Sequence, residues 1–494
     1  MILTIRFGVP ALLLNEPGKL VHARQLIDRT FLDNDWLQAS GAADSALDVI
    51  FAAMVAPLWL LLKDGVLVAL TARVLTWSLL LIALVRLART LKIPWHGLSI
   101  GLALWLYCGQ TLGAGEWIFG GAEEKCLAYA LLTVALTALL ERQMLPAAIA
   151  CGLAIWFHLL VGGWGAVALG GAMLLSVHDY GLRSVAKFLG VSFALGVVAV
   201  FAALHYAGPS SAASDRLTVL FRNPHHLDPN VFPAWIELRR IITAAGLAAV
   251  ALPLIATRSR TALLRWFLLV LTLEFVLGML ARKLDLFRFL KSYPFRVADV
   301  VPLMLFWLLL PSLVVAACRK PVRPWLALAA LAAVLSAGHM LIHSPSPTWT
   351  GLLAFRSAWS SEVHHEQTPW LRMTSWIQSR TPRSSVVLTP PCQGEFWLEA
   401  ERAQVVSFKR APHDIRILEW YERMTALNGG PFLKAGFDAC DELMQHYPAL
   451  DRTRLFSIRD RYGADYYLTT TRREDLAAAP LFESGTYFLY GLRR

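Results

Sequence analysis

The first residues with chemistry to offer lie in NEPGKLVHARQLIDRTFLDNDWLQ, which carries Glu16, Asp28, Asp33 and Asp35. Asp33 and Asp35 are two apart, so an extended segment would turn both to one side. A carboxylate so placed can act as general base toward a hydroxyl, or hold a divalent cation through its oxygens. A solvated acidic loop in which Asp33 closes a turn is the plainer alternative. A second acidic group, Glu116, Glu123 and Glu124, is packed into GAGEWIFGGAEEKCLAY. A helix beginning at 123 would favour two of these carboxylates at its N-terminus through the dipole. Three exceed what capping requires.

The bases follow. LTVLFRNPHHLDPNVFP brings Arg222, His225 and His226, and RKLDLFRFLKSYPFR brings Arg282, Lys283, Arg288, Lys291 and Arg296. Guanidinium forks match phosphate oxygens, and imidazole adds a donor or moves a proton. Snorkelling to lipid headgroups, or ion pairing with the acids of the first two loops, would also explain them. No residues are assigned to a metal. Adjacent histidines in extended chain face opposite ways, and no HExxH or Cys/His spacing is present. His158, in WFHLLVGGW, reads as a hydrogen-bonding residue between helices.

Residues of this kind need a scaffold, and the scaffold is apolar. The chain has 494 residues, 56% hydrophobic and 16% charged, with mean hydropathy +0.51. A crossing helix needs about 20 apolar residues. Such windows fall near 66–85, 95–111, 126–140, 147–162, 163–177, 186–206, 241–257, 265–281, 297–317 and 325–342. The stretch 45–62, broken by Pro57, reads as an interfacial helix or a short further span. MILTIRFGVPALLL is short for a span and lacks a secretory cleavage site. It reads as the stub of a first span, or the true start lies upstream.

Short loops such as RLARTLK and CRKPVRP are dense in Lys and Arg, the pattern of cytoplasmic loops. That orientation makes the long loops and everything after His343 extracytoplasmic. The net charge of +11 is spread between spans, without a basic block carrying aromatics, which argues against nucleic-acid binding. The tail opens with SPSPT and then turns mixed and charged. Residues 384–391, 403–409, 464–470 and 486–492 read as strands, with helical spacing at 414–427 and 437–447. Cys392 and Cys440 can pair there in an oxidising compartment. Three regions result: an acidic first loop with its interfacial helix over 1–65, a helical bundle over 66–343, and an α/β domain over 344–494.

The run FLDNDW, GGAEEKCLAYALL, FHLLVGGW, RNPHH, YPFR, VVLTPP and EWYER resembles a bacterial family of uncharacterised polytopic membrane proteins. That family is similar in turn to the GT-C superfamily of membrane glycosyltransferases. The resemblance implies a polytopic α-helical membrane bundle of about ten to eleven spans, GT-C-like, with a C-terminal soluble α/β domain. It implies transfer of a sugar from a polyprenyl-phosphate donor to an envelope acceptor, with inversion. Asp35, then Asp33 and Glu16, would be the catalytic carboxylates, and Glu116, Glu123 and Glu124 the second acidic cluster. Arg222, His225, His226, Arg288 and Arg296 would hold the donor phosphate. A divalent cation, Mg or Mn, is the cofactor such chemistry sometimes uses. A lipid-linked substrate in the bacterial inner membrane is the implied partner. Families of this type begin with a complete span before the acidic loop, where this chain has only the stub. Translocation of an anionic lipid-linked precursor, or a non-catalytic membrane scaffold with a periplasmic binding domain, are the alternative functions.

Overall fold

In the computed structural model the described residues are 12, 15–39, 48–206, 208–232, 262–319, 368–393, 395–476 and 478–492. In chain order the helices are α1 (Glu16–Ile27), α2 (Asp48–Leu62), α3 (Gly65–Thr90), α4 (Trp95–Cys108), α5 (Glu124–Leu140), α6 (Met144–Phe157), α7 (Leu159–Leu175) and α8 (Leu182–Tyr206). Then come α9 (Ala212–Leu217), α10 (Ala262–Lys283), α11 (Phe295–Arg319) and α12 (Pro369–Arg380). Strand β1 (Val386–Leu388), α13 (Phe396–Glu399), β2 (Ala403–Gln404), α14 (Ile417–Asn428), α15 (Asp438–His446) and α16 (Arg452–Tyr462) precede β3 (Tyr466–Thr469), β4 (Phe482–Ser484) and β5 (Tyr487–Gly491). The chain divides into two compact units. Among the described residues the first holds 73–205, 225–232 and 262–319, and the second holds 12–72, 206, 208–224 and the residues from 368 onward.

The expectation of ten to eleven spans is overturned. Three described helices are long and apolar enough to cross a membrane: Gly65–Thr90, Leu182–His205 and Ala262–Lys283. The expected spans at 241–257 and 325–342 lie outside the described residues. The protein is mostly helical with a small C-terminal sheet. The windows misled for a physical reason. A helix that is apolar on every side suits a protein core as well as a bilayer. Every residue of α5 but Leu131 and Val134 is buried within the first unit. At 14 residues, α4 and α6 reach about 21 Å at 1.5 Å per residue, short of a hydrocarbon core of about 30 Å.

In the first unit α5 packs on α6 and α7, α7 on α10, and α11 on α4. Two glycines set how closely these helices meet. A Cβ on Gly162 would lie 2.4 Å from the Ala154 carbonyl carbon, so the α6–α7 reversal at His158 closes backbone to backbone. One on Gly101 would lie 2.3 Å from the Trp307 carbonyl oxygen, where α4 meets α11.

The second unit is built on a five-stranded sheet of order β2-β1-β3-β5-β4. β1 runs parallel to β2 and β3, while β5 is antiparallel to β3 and β4. Side chains alternate across it with the period of two that strands impose. Val387, Leu468 and Leu489 pack with Met373 and Ile377 of α12 on one face. Leu388, Tyr467 and Tyr490 pack on the other with Trp420, Leu443 and Leu455 of α14 to α16. The expected strands and both expected helices of the tail are present, and β4, α12, α13 and α16 are additions. The N-terminal helices belong here too: α1 packs on α2 and on α13.

Candidate functional site

The charged centre of the first unit forms around the loop from Gly109 to Glu123. Two buried polar residues hold that loop. Gln110 donates to the Phe119 carbonyl at 2.6 Å and accepts from the Ile118 and Phe119 amides at 2.9 and 2.8 Å. Asp299 of α11 accepts from the Gly113 amide at 2.6 Å and from the Thr111 hydroxyl. Gly115 has φ +63°, a conformation that favours glycine, and brings the loop against His225 and His226.

Glu116 lies at the centre, 2% exposed. Its carboxylate meets Lys125 Nζ at 2.5 Å and Arg296 Nε at 2.6 Å. Burial pushes this carboxyl up, but Arg296 and Lys125 outweigh burial and hold it well below the usual carboxylate range. Lys125 also faces Glu123 Oε2 at 3.5 Å, and lies 3.7 Å from the centre of the Trp117 ring. Arg296 stacks 4.1 Å over Tyr293, a residue at φ +55° that costs about 1–2 kcal/mol to hold there. The Arg296 carbonyl accepts from the Tyr129 hydroxyl at 3.0 Å. His158, at the start of α7, has Nε2 3.1 Å from Arg296 Nη1. The Val161 amide faces Nδ1 at 3.2 Å, and a neutral imidazole accepts at only one of its two nitrogens, so one of these two contacts is not a hydrogen bond.

His226 Nδ1 lies 2.6 Å from the Ala114 carbonyl, which can only accept, so the proton sits on Nδ1. Burial pushes this imidazole down to about 4, against the pull of Glu116. At neutral pH His226 is uncharged, with its lone pair on Nε2. It contributes an acceptor, where the sequence suggested a phosphate donor. The two histidine rings pack with centroids 4.0 Å apart. Glu123 is 4% exposed and begins α5 from an extended backbone; its Oε1 has no hydrogen-bond partner among the described residues. Glu124 is buried in the first turn of α5. Arg282 pairs with Asp228 at 2.9 Å and with Asp285 at 2.6 Å, and Arg288 is exposed.

The remaining sequence candidates belong to the second unit. Residues 29–34 form turns instead of an extended segment, so Asp33 is exposed while Asp35 is buried. Asp35 accepts from the Leu37 and Gln404 amides at 3.2 and 3.4 Å and lies 3.5 Å from Arg410 Nη1. Glu16 is fully buried at the start of α1. Arg222 donates to the Lys409 carbonyl at 3.1 Å and to Asn223 at 3.0 Å, with its guanidinium 4.7 Å over Phe408. RNPHH is thus split, Arg222 to Pro224 in the second unit and the histidines in the first. Cys392 and Cys440 form a disulfide.

Among the described residues no three of His, Cys, Asp or Glu converge to hold a metal. Glu116 is occupied by two cations and Glu123 faces a third contact with Lys125, so these acids do not offer the open oxygen set a divalent cation needs. Sequence reasoning missed Lys125, Gln110, Asp299, Gln404 and Arg410. Lys125 had a visible signal, as the base that directly follows two acids. The others are single polar residues whose partners are distant in sequence.

Residues 368–427, from α12 through most of α14, match the family described as Domain of unknown function (DUF6798). No curated protein matches the chain.

Proposed function

We propose that this chain is a membrane-anchored glycosyltransferase that moves a sugar from a polyprenyl-phosphate donor to a hydroxyl of an envelope acceptor. The observation that carries the reading is the buried charged cluster of the first unit. Charged groups inside an apolar helical protein are costly to keep, and retained ones mark substrate sites by default. Glu123 takes the role of base, because its Oε1 has no partner among the described residues while Asp35 is engaged by Arg410 and two amides. The acceptor oxygen attacks the anomeric carbon as Glu123 takes its proton. The bond from that carbon to the phosphate oxygen breaks, and the polyprenyl phosphate leaves with the electron pair. Lys125 and Arg296 offset the charge gathering on the departing phosphate. A single displacement of this kind inverts the anomeric centre. The three long apolar helices suit an inner-membrane setting. The disulfide suits an extracytoplasmic second unit, since such bonds persist in oxidising compartments.

The test is transfer by the purified full chain from labelled polyprenyl-phosphate sugars. Glu123→Gln is expected to lower the rate by about 10²-fold or more, the scale of a lost general base. The double variant Asp33→Asn with Asp35→Asn is expected to keep activity within about tenfold. Full activity in Glu123→Gln overturns the assignment.

One observation favours a second reading, translocation of a lipid-linked precursor. Glu274 lies midway along α10 and is 4% exposed, and neither carboxylate oxygen has a hydrogen-bond partner among the described residues. Flux of unmodified lipid into vesicles, lost in Glu274→Gln, would select that reading.

A further inference from the structure

We propose that the second unit carries a binding site for a neutral sugar at the carboxyl ends of β1 and β2, built by Gln404, Arg410 and Trp397 with Asp35. This goes beyond the transferase reading and does not depend on it. In sheets with parallel strands, ligands bind outside the carboxyl ends of the strands, where neighbouring connections diverge. β1 is that point here: its chain leaves through α13 to β2 on one side and pairs with β3 on the other.

The polar groups gathered at this end are incompletely satisfied. Gln404 is 3% exposed; its Nε2 donates to the Thr389 hydroxyl at 2.6 Å, while its Oε1 has no partner among the described residues. Trp397 is 1% exposed with its indole N–H unmet, and Arg410 has Nη2 unmet. Asp35 and Arg410 link them in series. Asp35 accepts from the Gln404 backbone N–H at 3.4 Å and lies 3.5 Å from Arg410, and the Arg410 guanidinium lies 5.2 Å over the Trp397 ring. Buried polar atoms without partners are uncommon in folded proteins, and each calls for a water or a ligand.

The chemistry of the gaps selects the ligand. Trp397 and Arg410 offer donors and need acceptors. Turning the Gln404 amide over exchanges its unmet atom from acceptor to donor, with Thr389 satisfied either way. A hydroxyl completes both cases, because it donates and accepts. An anion does not, since Asp35 already matches the Arg410 charge and would repel it. A monosaccharide presents several such hydroxyls on one ring. The three residues also lie within 368–427, the stretch that matches the family of unknown function.

Saturation-transfer NMR on the full chain in lipid nanodiscs tests this, with glucose, galactose, mannose and N-acetylglucosamine as probes at millimolar concentration. At least one sugar is expected to receive saturation, and the signal is expected to fall at least about fivefold in Gln404→Leu. Trp397→Phe keeps an aromatic ring but removes the N–H with the pyrrole part of the indole, so it repeats the test should Gln404→Leu disturb folding. Glu123→Gln is expected to leave the signal intact, which separates this site from the proposed transfer chemistry. No transfer to any sugar, a signal indifferent to both second-unit variants, or displacement of the sugar by inorganic phosphate would each overturn the proposal.

Discussion

Each unit buries a carboxylate beside an arginine, yet the two pairs are built differently. Glu116 meets two cations at 2.5 and 2.6 Å, and both of those cations also pack on aromatic rings. Asp35 meets Arg410 at 3.5 Å and otherwise accepts from backbone amides. The first arrangement is tight around Glu116, while Glu123 at its edge keeps one oxygen without a partner among the described residues. The second is loose, and its arginine keeps a donor in reserve. A charge needed for folding is matched closely, because desolvation costs several kcal/mol for each unmatched ion. A group kept for a ligand retains unmet hydrogen-bonding capacity.

The largest effect expected comes from breaking the tight arrangement. Glu116→Gln keeps the shape of the side chain but leaves Arg296 buried without its counter-charge and Lys125 with only the more distant Glu123. Removing one partner of a buried pair costs about 3–5 kcal/mol. Denaturant unfolding of the full chain in detergent checks it, and a loss below about 1 kcal/mol would erase the contrast between the two units.

The second unit has a covalent tie where the first has charge. Cys392–Cys440 joins the loop after β1 to α15 across 48 residues. Closing a loop of that length stabilises by about 2–4 kcal/mol through the unfolded chain. Cys392→Ser with Cys440→Ser is therefore expected to lower the unfolding free energy of the second unit by that amount, followed through the tryptophan signal. An equal loss on adding reductant to the native protein, absent from the double variant, confirms the bond as its source.

Acid separates the units next. His226 titrates near 4 in the folded chain against about 6.5 unfolded. Above pH 6.5 both forms are neutral and nothing changes. Between about 6.5 and 4 the unfolded chain binds a proton that the folded chain does not, so stability falls as pH falls, by up to about 3 kcal/mol. Glu116 behaves as a depressed carboxylate. Its contribution is complete above the ordinary carboxylate range and drains only below it. The histidine therefore contributes a slope between pH 6.5 and 4.5 in which Glu116 has no part. His226→Asn, which keeps a donor for the Ala114 carbonyl, is expected to flatten it. An unchanged slope would move the titration elsewhere.

How much of this was legible in the sequence depends on the range of the interaction. Helix positions in the bundle were legible, since apolar windows at 66–85 and 265–281 fall on α3 and α10. Their environment was not, because α5 is apolar on all sides for the sake of its neighbours. Strands β1, β3 and β5 showed as β-branched and aromatic runs; Phe482–Ser484 is too short and polar to show. The acidic clusters were visible as clusters. Their partners were not, as Asn34 donates to the Ser384 carbonyl 350 residues away and Asp35 accepts from Gln404 at a separation of 369. Local periodicity carries no information at that distance.

The smallest effect is the one that sharpens the contrast most. Asp35→Asn keeps an oxygen that can accept from the Leu37 amide, and it loses the charge facing Arg410 together with the acceptor for the Gln404 backbone amide. Arg410 is 12% exposed along its side chain and stacks on Trp397, so water and the indole face share its charge once the carboxylate is gone. The cost should be about 1.5–3 kcal/mol, the worth of a single hydrogen bond to a charged group. It should also leave sugar binding weakened rather than abolished, because Gln404 and Trp397 keep their unmet atoms. If Asp35→Asn instead destabilises the chain as much as Glu116→Gln, the loose pair is a folding element like the tight one. The reserve capacity of Arg410 would then need a water in place of a sugar.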